Sequence, residues 1–161
     1  MFATTLVAGG LAIAAPAPAS ATGSAAVSAS VPEAAAVAPG LRIYTPKAPR
    51  YQANCFGRIG TFRPGSRVFI VDWERNGSED ECFGIGTDRK VFHIWSTWTA
   101  WRQMDTASAG PGIADDIYKI RTRQDGWHEV IVRIGANDLW ITSGATGLGW
   151  SAWIRCPTGY C

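Results

Sequence analysis

The hydrophobic pattern of the chain favours short β-strands over helices. Val68-Phe69-Ile70-Val71 is a continuous apolar run, and His93 alternates with apolar residues in the segment 91–95. Gly, Pro, Asn and Asp residues bound these runs, which is typical of strands that end at turns. Candidate helices are interrupted by Gly, Pro or β-branched residues. We therefore predict an all-β domain over residues 41–161.

An internal repeat is the strongest signal within this domain. The first copy, residues 68–104, contains in order Val68 to Val71, Asn76-Gly77, Ile85-Gly86 with Asp88, Val91-Phe92 and Trp98-Thr99-Ala100-Trp101. The second copy, residues 117–156, follows about 50 residues later with Ile117 to Ile120, Asp125-Gly126, Ile134-Gly135 with Asn137, Leu139-Trp140 and Trp150-Ser151-Ala152-Trp153. Two W-[ST]-A-W tetrapeptides at matching positions are hard to attribute to chance.

Each copy predicts a four-stranded antiparallel meander. The Asn-Gly and Asp-Gly dipeptides supply the positive φ angles of a two-residue hairpin turn. The second strand ends at Ile85 or Ile134, and the third covers residues 91–95 or 139–143. The fourth strand carries the Trp pair, whose members lie three residues apart and therefore point to opposite faces unless a bulge intervenes.

This order of strands and turns resembles the blades of tachylectin-like and fucose-binding bacterial lectin β-propellers. The resemblance covers about half of the chain. It implies sugar binding in crevices between neighbouring blades, lined by Trp faces and polar side chains. Residues 81–85, 93–95 and 114–116 also resemble small, disulfide-containing secreted proteins of actinobacteria.

A complete propeller needs about four or more blades, whereas this chain has two and a fragment before Ser66. Two arrangements remain open. Several chains can assemble into a ring as a homo-oligomer, or the eight strands can form a compact two-sheet β-sandwich. We favour the sandwich, because disulfides suit a domain that is too small to rely on its core alone.

The N-terminal segment resembles a secretory signal. Residues 2–19 contain an apolar stretch, and Ala19-Ser20-Ala21 is an A-x-A cleavage signature, although no Lys or Arg precedes the apolar stretch. Residues 1–21 are therefore predicted to be a signal peptide and residues 22–40 a flexible leader rich in Ala, Pro and Ser. We expect the protein to be secreted and extracellular.

Four cysteines in a small chain fit two disulfides formed outside the cytosol. Cys55, Cys82, Cys156 and Cys161 lack zinc-site spacing, and the two histidines do not complete a ligand set. Three pairings are possible and the sequence does not decide among them. We favour Cys55 with Cys82, and Cys156 with Cys161 around a Pro157-Thr158-Gly159 turn.

Composition and charge exclude some partners. Fifteen Lys and Arg residues against thirteen Asp and Glu give a formal net charge of +2, so no nucleic-acid partner is expected. After the first twenty or so residues, no uncharged apolar run approaches the ~20 residues that cross a bilayer, so no membrane span is expected. Six cations, Arg42, Lys47, Arg50, Arg58, Arg63 and Arg67, cluster early in the domain and can attract anionic wall polymers.

Eight Trp residues exceed what a core of about 100 residues needs. The repeated Trp98, Trp101, Trp150 and Trp153 are expected to be framework. Trp73, Trp95 and Trp127 occur in one copy only, so we expect exposed faces there that stack on the C–H side of a sugar ring. Their polar neighbours Asp72, Glu74, His93 and His128 complete the predicted ligand-binding set, although His93 is also a candidate structural histidine.

Signals for catalysis and for metals are weak. The chain has no G-x-S-x-G, H-E-x-x-H or P-loop motif. The acidic turn 76–81 and the pair Asp115-Asp116 offer oxygen ligands for calcium, but they lack EF-hand spacing, and a solvated turn is the commoner explanation. Paired carboxylates also occur by accident among thirteen acids. We predict a non-enzymatic, cofactor-free, lectin-like module that recognises extracellular or cell-wall glycans. The alternatives are a secreted module that binds or inhibits another protein, and a small hydrolase.

Overall fold

A computed structural model describes residues 39–104 and 113–161. Every regular element within these ranges is a β-strand, as predicted. The twelve strands are β1 Gly40–Tyr44, β2 Gln52–Cys55, β3 Arg58–Thr61, β4 Val68–Asp72, β5 Glu81–Ile85, β6 Val91–Trp95, β7 Arg102–Gln103, β8 Asp116–Thr122, β9 His128–Ile134, β10 Asp138–Ala145, β11 Gly149–Trp150 and β12 Ile154–Arg155.

Two expectations concern residues at the N-terminus. The predicted signal peptide, residues 1–21, and the leader up to residue 38 lie outside the described residues. In the part that the structure describes, no helix is long and apolar enough to span a membrane.

The strands form three antiparallel sheets. The first sheet has the order β1-β4-β5-β6-β7, and the second has the order β11-β10-β9-β8 with β12 also paired to β10. β2 and β3 form a separate hairpin. Consecutive strands of each predicted repeat therefore lie side by side, while β1, which precedes both repeats, adds to the first sheet beside β4.

β4 and β5 are buried on both faces of the first sheet. Phe69, Val71, Phe83 and Ile85 face the second sheet, where they join Val130, Val132 and other side chains in one cluster, the inter-sheet core. The alternate residues of the two strands, among them Ile70 and Cys82, face the β2–β3 side and form a second cluster, the hairpin core. Burial on both faces explains the continuous apolar run in β4, because no position in it faces water.

The ring of Phe62 packs directly against the backbone of β5 on one side of the first sheet. Its ring lies over Gly84, where an added Cβ atom would overlap the ring. It also packs edge-on against Trp101, with 4.9 Å between ring centroids. A residue larger than Gly at position 84 would therefore displace the ring from the hairpin core.

The predicted positions of the Trp pairs are partly wrong. Trp98 and Trp101 lie in the connection between β6 and β7 rather than on a strand, and both pack against the hairpin core. In the second copy, Trp150 ends β11, and residues 151–153 interrupt the strand before β12. Because of these irregular segments, both members of each pair lie against the same cluster instead of on opposite faces.

The first hairpin turn of each copy is longer than the two residues predicted. Gly77 and Gly126 do have positive φ angles, of 88° and 82°. However, residues 73–80 separate β4 from β5, and residues 123–127 separate β8 from β9. The Asp72 carboxylate accepts hydrogen bonds from the backbone N–H groups of Asn76 and Gly77, which stabilises the wider loop.

Both favoured disulfides are present. Cys55–Cys82 joins the β2–β3 hairpin to β5 inside the hairpin core. Cys156–Cys161 closes a short loop after β12. The described residues contain no free cysteine.

The two disulfides should differ in their effect on stability. In the chain-entropy model, a bridge across 27 residues contributes about 3.5 kcal/mol and one across 5 residues about 2 kcal/mol. We expect the C55A/C82A variant to lose more free energy of unfolding in urea than C156A/C161A, since it also leaves a cavity in the hairpin core. Equal losses would contradict this order.

Candidate functional site

A cleft lined by aromatic side chains opens at one end of the inter-sheet core. His93, Trp95, Trp98 and Trp150 provide its rings, and Thr97 and Thr146 lie among its polar groups. Its volume is about 370 Å³. We call this site the aromatic cleft.

Both sheets contribute to the aromatic cleft. His93 and Trp95 are two residues apart on β6, so they project from the same face of the first sheet. Trp150 and the turn between β10 and β11 come from the second sheet. At Gly144 an added Cβ atom would lie 2.6 Å from the Gly149 carbonyl oxygen and 2.9 Å from the Trp150 ring. Gly144 is therefore needed for Trp150 to lie across β10.

A buried carboxylate lies directly behind the cleft. Glu81 is 0% exposed, and its Oε1 atom lies 2.6 Å from His93 Nδ1. The Trp73 indole N–H donates to Glu81 Oε2 across 3.0 Å. Burial raises the pKa of Glu81, while His93 and Trp73 oppose this rise. A buried carboxylate needs such partners, because an unpaired one would be strongly destabilising.

Glu81 fixes the orientation of the His93 ring. Because Nδ1 faces the buried carboxylate, Nε2 lies on the other side of the ring and is the nitrogen left for a ligand in the cleft. Phe83 stacks against one side of the ring, with 6.1 Å between centroids, and Trp98 approaches edge-on at 4.9 Å. His93 is thus both a structural histidine and part of the cleft wall.

The expectation that Trp73 has an exposed face is wrong. Trp73 is only 5% exposed, because it belongs to the inter-sheet core. It lies on the same face of the first sheet as Phe69 and Val71, stacks on His128 at 4.0 Å and donates to Glu81. Trp73 supports the cleft from behind and does not line it.

His128 is also buried between the sheets. Its Nε2 atom lies 3.3 Å from the Thr146 hydroxyl, and its Nδ1 atom lies 3.5 Å from the Thr122 hydroxyl. Burial lowers the pKa of His128, and the charge of Asp80 opposes this effect only in part. Through Thr146, His128 supports the turn that forms one wall of the cleft.

Three other predicted ligand contacts lie outside the aromatic cleft. Trp127 is 38% exposed in the turn between β8 and β9. The Asp72 carboxylate accepts its hydrogen bonds within the β4–β5 loop, and Glu74 in the same loop accepts one from the Asn76 side chain. Of the predicted set, the cleft therefore contains His93 and Trp95, with Trp73 and His128 behind it.

Sequence reasoning missed the groups that complete the site. Trp98 and Trp150 were expected to be framework because they recur in both copies, yet each is half-buried with a face on the cleft. Glu81 was grouped with an acidic turn. Its spacing of two and four residues from Phe83 and Ile85 was a usable signal, since it places the carboxylate on the core-facing side of the strand.

A second, larger groove lies beside the C-terminal loop. It has a volume of about 560 Å³, and Arg121, Glu129 and Tyr160 line its floor. Glu129 accepts hydrogen bonds from Arg121 Nε and from the Tyr160 hydroxyl, both at 2.6 Å. Burial and the bond to Glu129 raise the pKa of Tyr160. These hydrogen bonds, with one from Arg121 Nη1 to the Tyr160 carbonyl, attach the C-terminal loop to the second sheet. Arg121 Nη2 is buried and has no hydrogen-bond partner among the described residues.

The aromatic cleft is associated with one imidazole–carboxylate pair, His93 with Glu81, and one imidazole–hydroxyl pair, His128 with Thr146. The hydrogen bonds of the described residues include none between His93 and a hydroxyl group. Within residues 39–104 and 113–161, no group of three or more His, Cys, Asp or Glu side chains is placed to hold a metal ion.

The lowered pKa of His128 predicts a pH-dependent stability. Above the ordinary histidine pKa of about 6.5 the group is neutral in both states, and below it the unfolded chain binds a proton that the folded chain resists. The free energy of unfolding should therefore decrease between pH 7.5 and pH 5.5 in urea titrations. Glu81 has a raised pKa, so its protonation stabilises the folded state as the pH falls and opposes the effect of His128. Comparison with the H128Q variant isolates the contribution of His128. H128Q should decrease less than the wild type, and an equal decrease would contradict the assignment.

The chain matches no family model, no curated protein and no solved structure.

Proposed function

We propose that this protein is a secreted, lectin-like module that binds a carbohydrate in the aromatic cleft. The observation that carries the proposal is the convergence of Trp95, Trp98 and Trp150 with His93 in one cleft of about 370 Å³. The partner is an extracellular glycan or a cell-wall polysaccharide. No catalytic step and no cofactor is part of this function.

Indole rings suit the apolar face of a sugar. A pyranose ring presents C–H groups on one face, and a Trp side chain offers a flat apolar surface with one N–H donor. The two rings contributed by the 95–98 segment are only half-buried. Arg102 covers part of Trp98, with its guanidinium carbon 4.3 Å from the ring centroid. Trp95 packs against the inter-sheet core, and the part of its ring that stays exposed lines the cleft, so we propose it as the primary stacking surface.

The polar groups of the cleft suit sugar hydroxyls. His93 Nε2, Thr97 and Thr146 offer hydrogen-bond donors and acceptors. Glu81 fixes the imidazole from behind, so the position of Nε2 is determined before a ligand arrives. Preorganisation of this kind increases affinity, because less side-chain entropy is lost on binding.

The size of the cleft favours a short saccharide. Ligand pockets commonly measure about 300–1,000 Å³, and the aromatic cleft lies near the lower end of this range. We infer that it binds one or two sugar units, such as the end of a glycan chain. A cell-wall polysaccharide would accordingly be bound at a terminus or a side branch.

The sequence repeat and the disulfides agree with this proposal. The blade-like repeats resemble those of lectin propellers, in which sugars bind between neighbouring blades. Here the cleft lies between the sheets that contain the two copies. Two disulfides are compatible with an extracellular protein.

A second candidate function is binding to another protein through β1. This strand forms one edge of the first sheet, and its Leu41, Ile43 and Tyr44 side chains are exposed. An exposed apolar edge can pair with a strand of another chain, including a second copy of this protein. Binding of this kind would be independent of the cleft and insensitive to free sugars.

The cleft proposal predicts that W95A and W98A reduce glycan binding. Each substitution removes a ring from the cleft, and the loss of a central aromatic contact typically costs 2 kcal/mol or more, about 30-fold in affinity. The measurement is a glycan and cell-wall polymer array, followed by calorimetric titration of wild-type protein with fucose, galactose, mannose and N-acetylglucosamine.

W127A is the matched control, because Trp127 is exposed outside the cleft. It should bind as the wild type does, and near-UV circular dichroism should show that all three variants are folded. Binding that survives both cleft substitutions would exclude the cleft as the site. Binding that is lost on disruption of β1, while free sugars do not compete, would favour the protein-interaction function.

A further inference from the structure

Four arginines converge on two aspartates on a part of the surface distinct from the aromatic cleft. Arg63 follows the β2–β3 hairpin, Arg67 precedes β4, Arg89 lies in the β5–β6 turn and Arg133 is on β9. They surround Asp115 and Asp116 at the start of β8. We call these six residues the arginine cluster.

Arg67 makes the most hydrogen bonds to the fold of the four arginines. Its Nε and Nη2 atoms donate to Asp116 Oδ2 across 3.0 and 2.7 Å, and Nη2 also donates to the Ile117 carbonyl. Its backbone N–H donates to Asp116 Oδ1. This pair joins the start of β4 to the start of β8 and has a structural role.

The other three arginines are only partly satisfied. Arg63 Nη1 and Arg89 Nη2 share one oxygen, Asp115 Oδ1, at 3.0 and 2.9 Å. The second oxygen of Asp115 accepts the Gly135 backbone N–H. Arg133 lies 3.7 Å from Asp116, whose acceptors are already occupied by Arg67. The Nε atoms of Arg89 and Arg133 are buried and have no hydrogen-bond partner among the described residues.

The cluster therefore has an excess of positive charge and of donors. Four guanidinium groups face two carboxylates, which leaves two positive charges uncompensated. The formal net charge of the whole chain is also +2. The side chains of Arg63, Arg89 and Arg133 are 35–39% exposed, so a ligand can reach the exposed part of each guanidinium group but not the buried Nε atoms of Arg89 and Arg133.

We propose that the arginine cluster binds a phosphate or sulfate group carried by an extracellular polyanion. Guanidinium groups bind tetrahedral oxyanions through paired hydrogen bonds, and such an anion has enough acceptor atoms for Arg63, Arg89 and Arg133 together. A carboxylate has only two oxygens and would leave some of the guanidinium donors without an acceptor. The site rests on its own observations and does not depend on carbohydrate binding in the aromatic cleft.

The test uses the full, disulfide-bonded chain and four probes: inorganic phosphate, polyphosphate, dextran sulfate and polygalacturonate. The cluster variant is R63Q/R89Q. The matched control is R123Q/R155Q, which removes the same charge from two exposed arginines that each contact an aspartate elsewhere, Asp125 and Asp138. Affinity is measured by biolayer interferometry at several salt concentrations.

We expect R63Q/R89Q to weaken binding to polyphosphate or dextran sulfate at least about tenfold. The slope of log affinity against log salt concentration should decrease in magnitude by about two, since two cations are removed. The control should change affinity less than about twofold. Preference for polyphosphate or for dextran sulfate identifies the anion, and inhibition by inorganic phosphate supports recognition of the group itself. Equal losses in both variants would overturn the proposal in favour of nonspecific charge. Equally tight binding of polygalacturonate, or no binding of any probe by the wild type, would also overturn it.

R133Q provides a second variant if R63Q/R89Q does not fold. Arg133 makes the longest of the four ion pairs, so its replacement should disturb the fold least. It should weaken binding while circular dichroism remains that of the wild type, and unchanged binding would overturn the proposal. The W95A variant separates the two sites, since it should lose glycan binding but keep polyanion binding. Loss of both activities in W95A would contradict two independent sites.

Discussion

Burial of β4 and β5 on both faces is the constraint on which the rest of the structure depends. A sheet whose central strands are apolar on both sides needs cover on both sides. The second sheet provides one cover, and the β2–β3 hairpin with Phe62 and Trp101 provides the other. A domain of this size has little surplus core, so the Cys55–Cys82 bridge adds a covalent link where the hairpin meets β5.

The aromatic cleft follows from the same constraint. Glu81 is the first residue of β5 and lies on the same face of the strand as Phe83 and Ile85. Its carboxyl group is therefore placed at the edge of the inter-sheet core. Its desolvation is offset by one indole donor, Trp73, and one imidazole, His93. The position of His93 in the cleft wall is therefore set by its contact with Glu81 in the core, independently of any ligand. Movement of His93 away from Glu81 would leave the buried carboxyl group with one hydrogen-bond partner fewer.

Much of the fold was predictable from the sequence, because local signals decided it. The third strand of the first copy, residues 91–95, and the ends of the second strands at Ile85 and Ile134 were predicted correctly, since apolar runs and glycines define them. Both cysteine pairings were favoured in advance. The pairing of β1 with β4 was not predicted, since partners that are distant in sequence leave no local pattern. The Trp pairs were misplaced because a three-residue spacing does not reveal whether a strand continues between them.

The candidate site was less predictable, because burial and not composition separates a core Trp from a binding Trp. Trp73 and Trp95 each occur in one copy of the repeat only, yet Trp73 faces the second sheet and Trp95 lines the cleft. Trp98 and Trp150 recur and still contribute to the cleft, so recurrence does not imply that a residue is only framework.

The charged residues divide in the same way into groups used inside the fold and groups left at the surface. Glu81 and Glu129 have hydrogen-bond partners inside the fold, whereas the arginine cluster keeps an excess of cations at the surface. An aromatic cleft and a cationic cluster suit chemically different ligands, because one offers apolar ring faces and the other offers guanidinium donors.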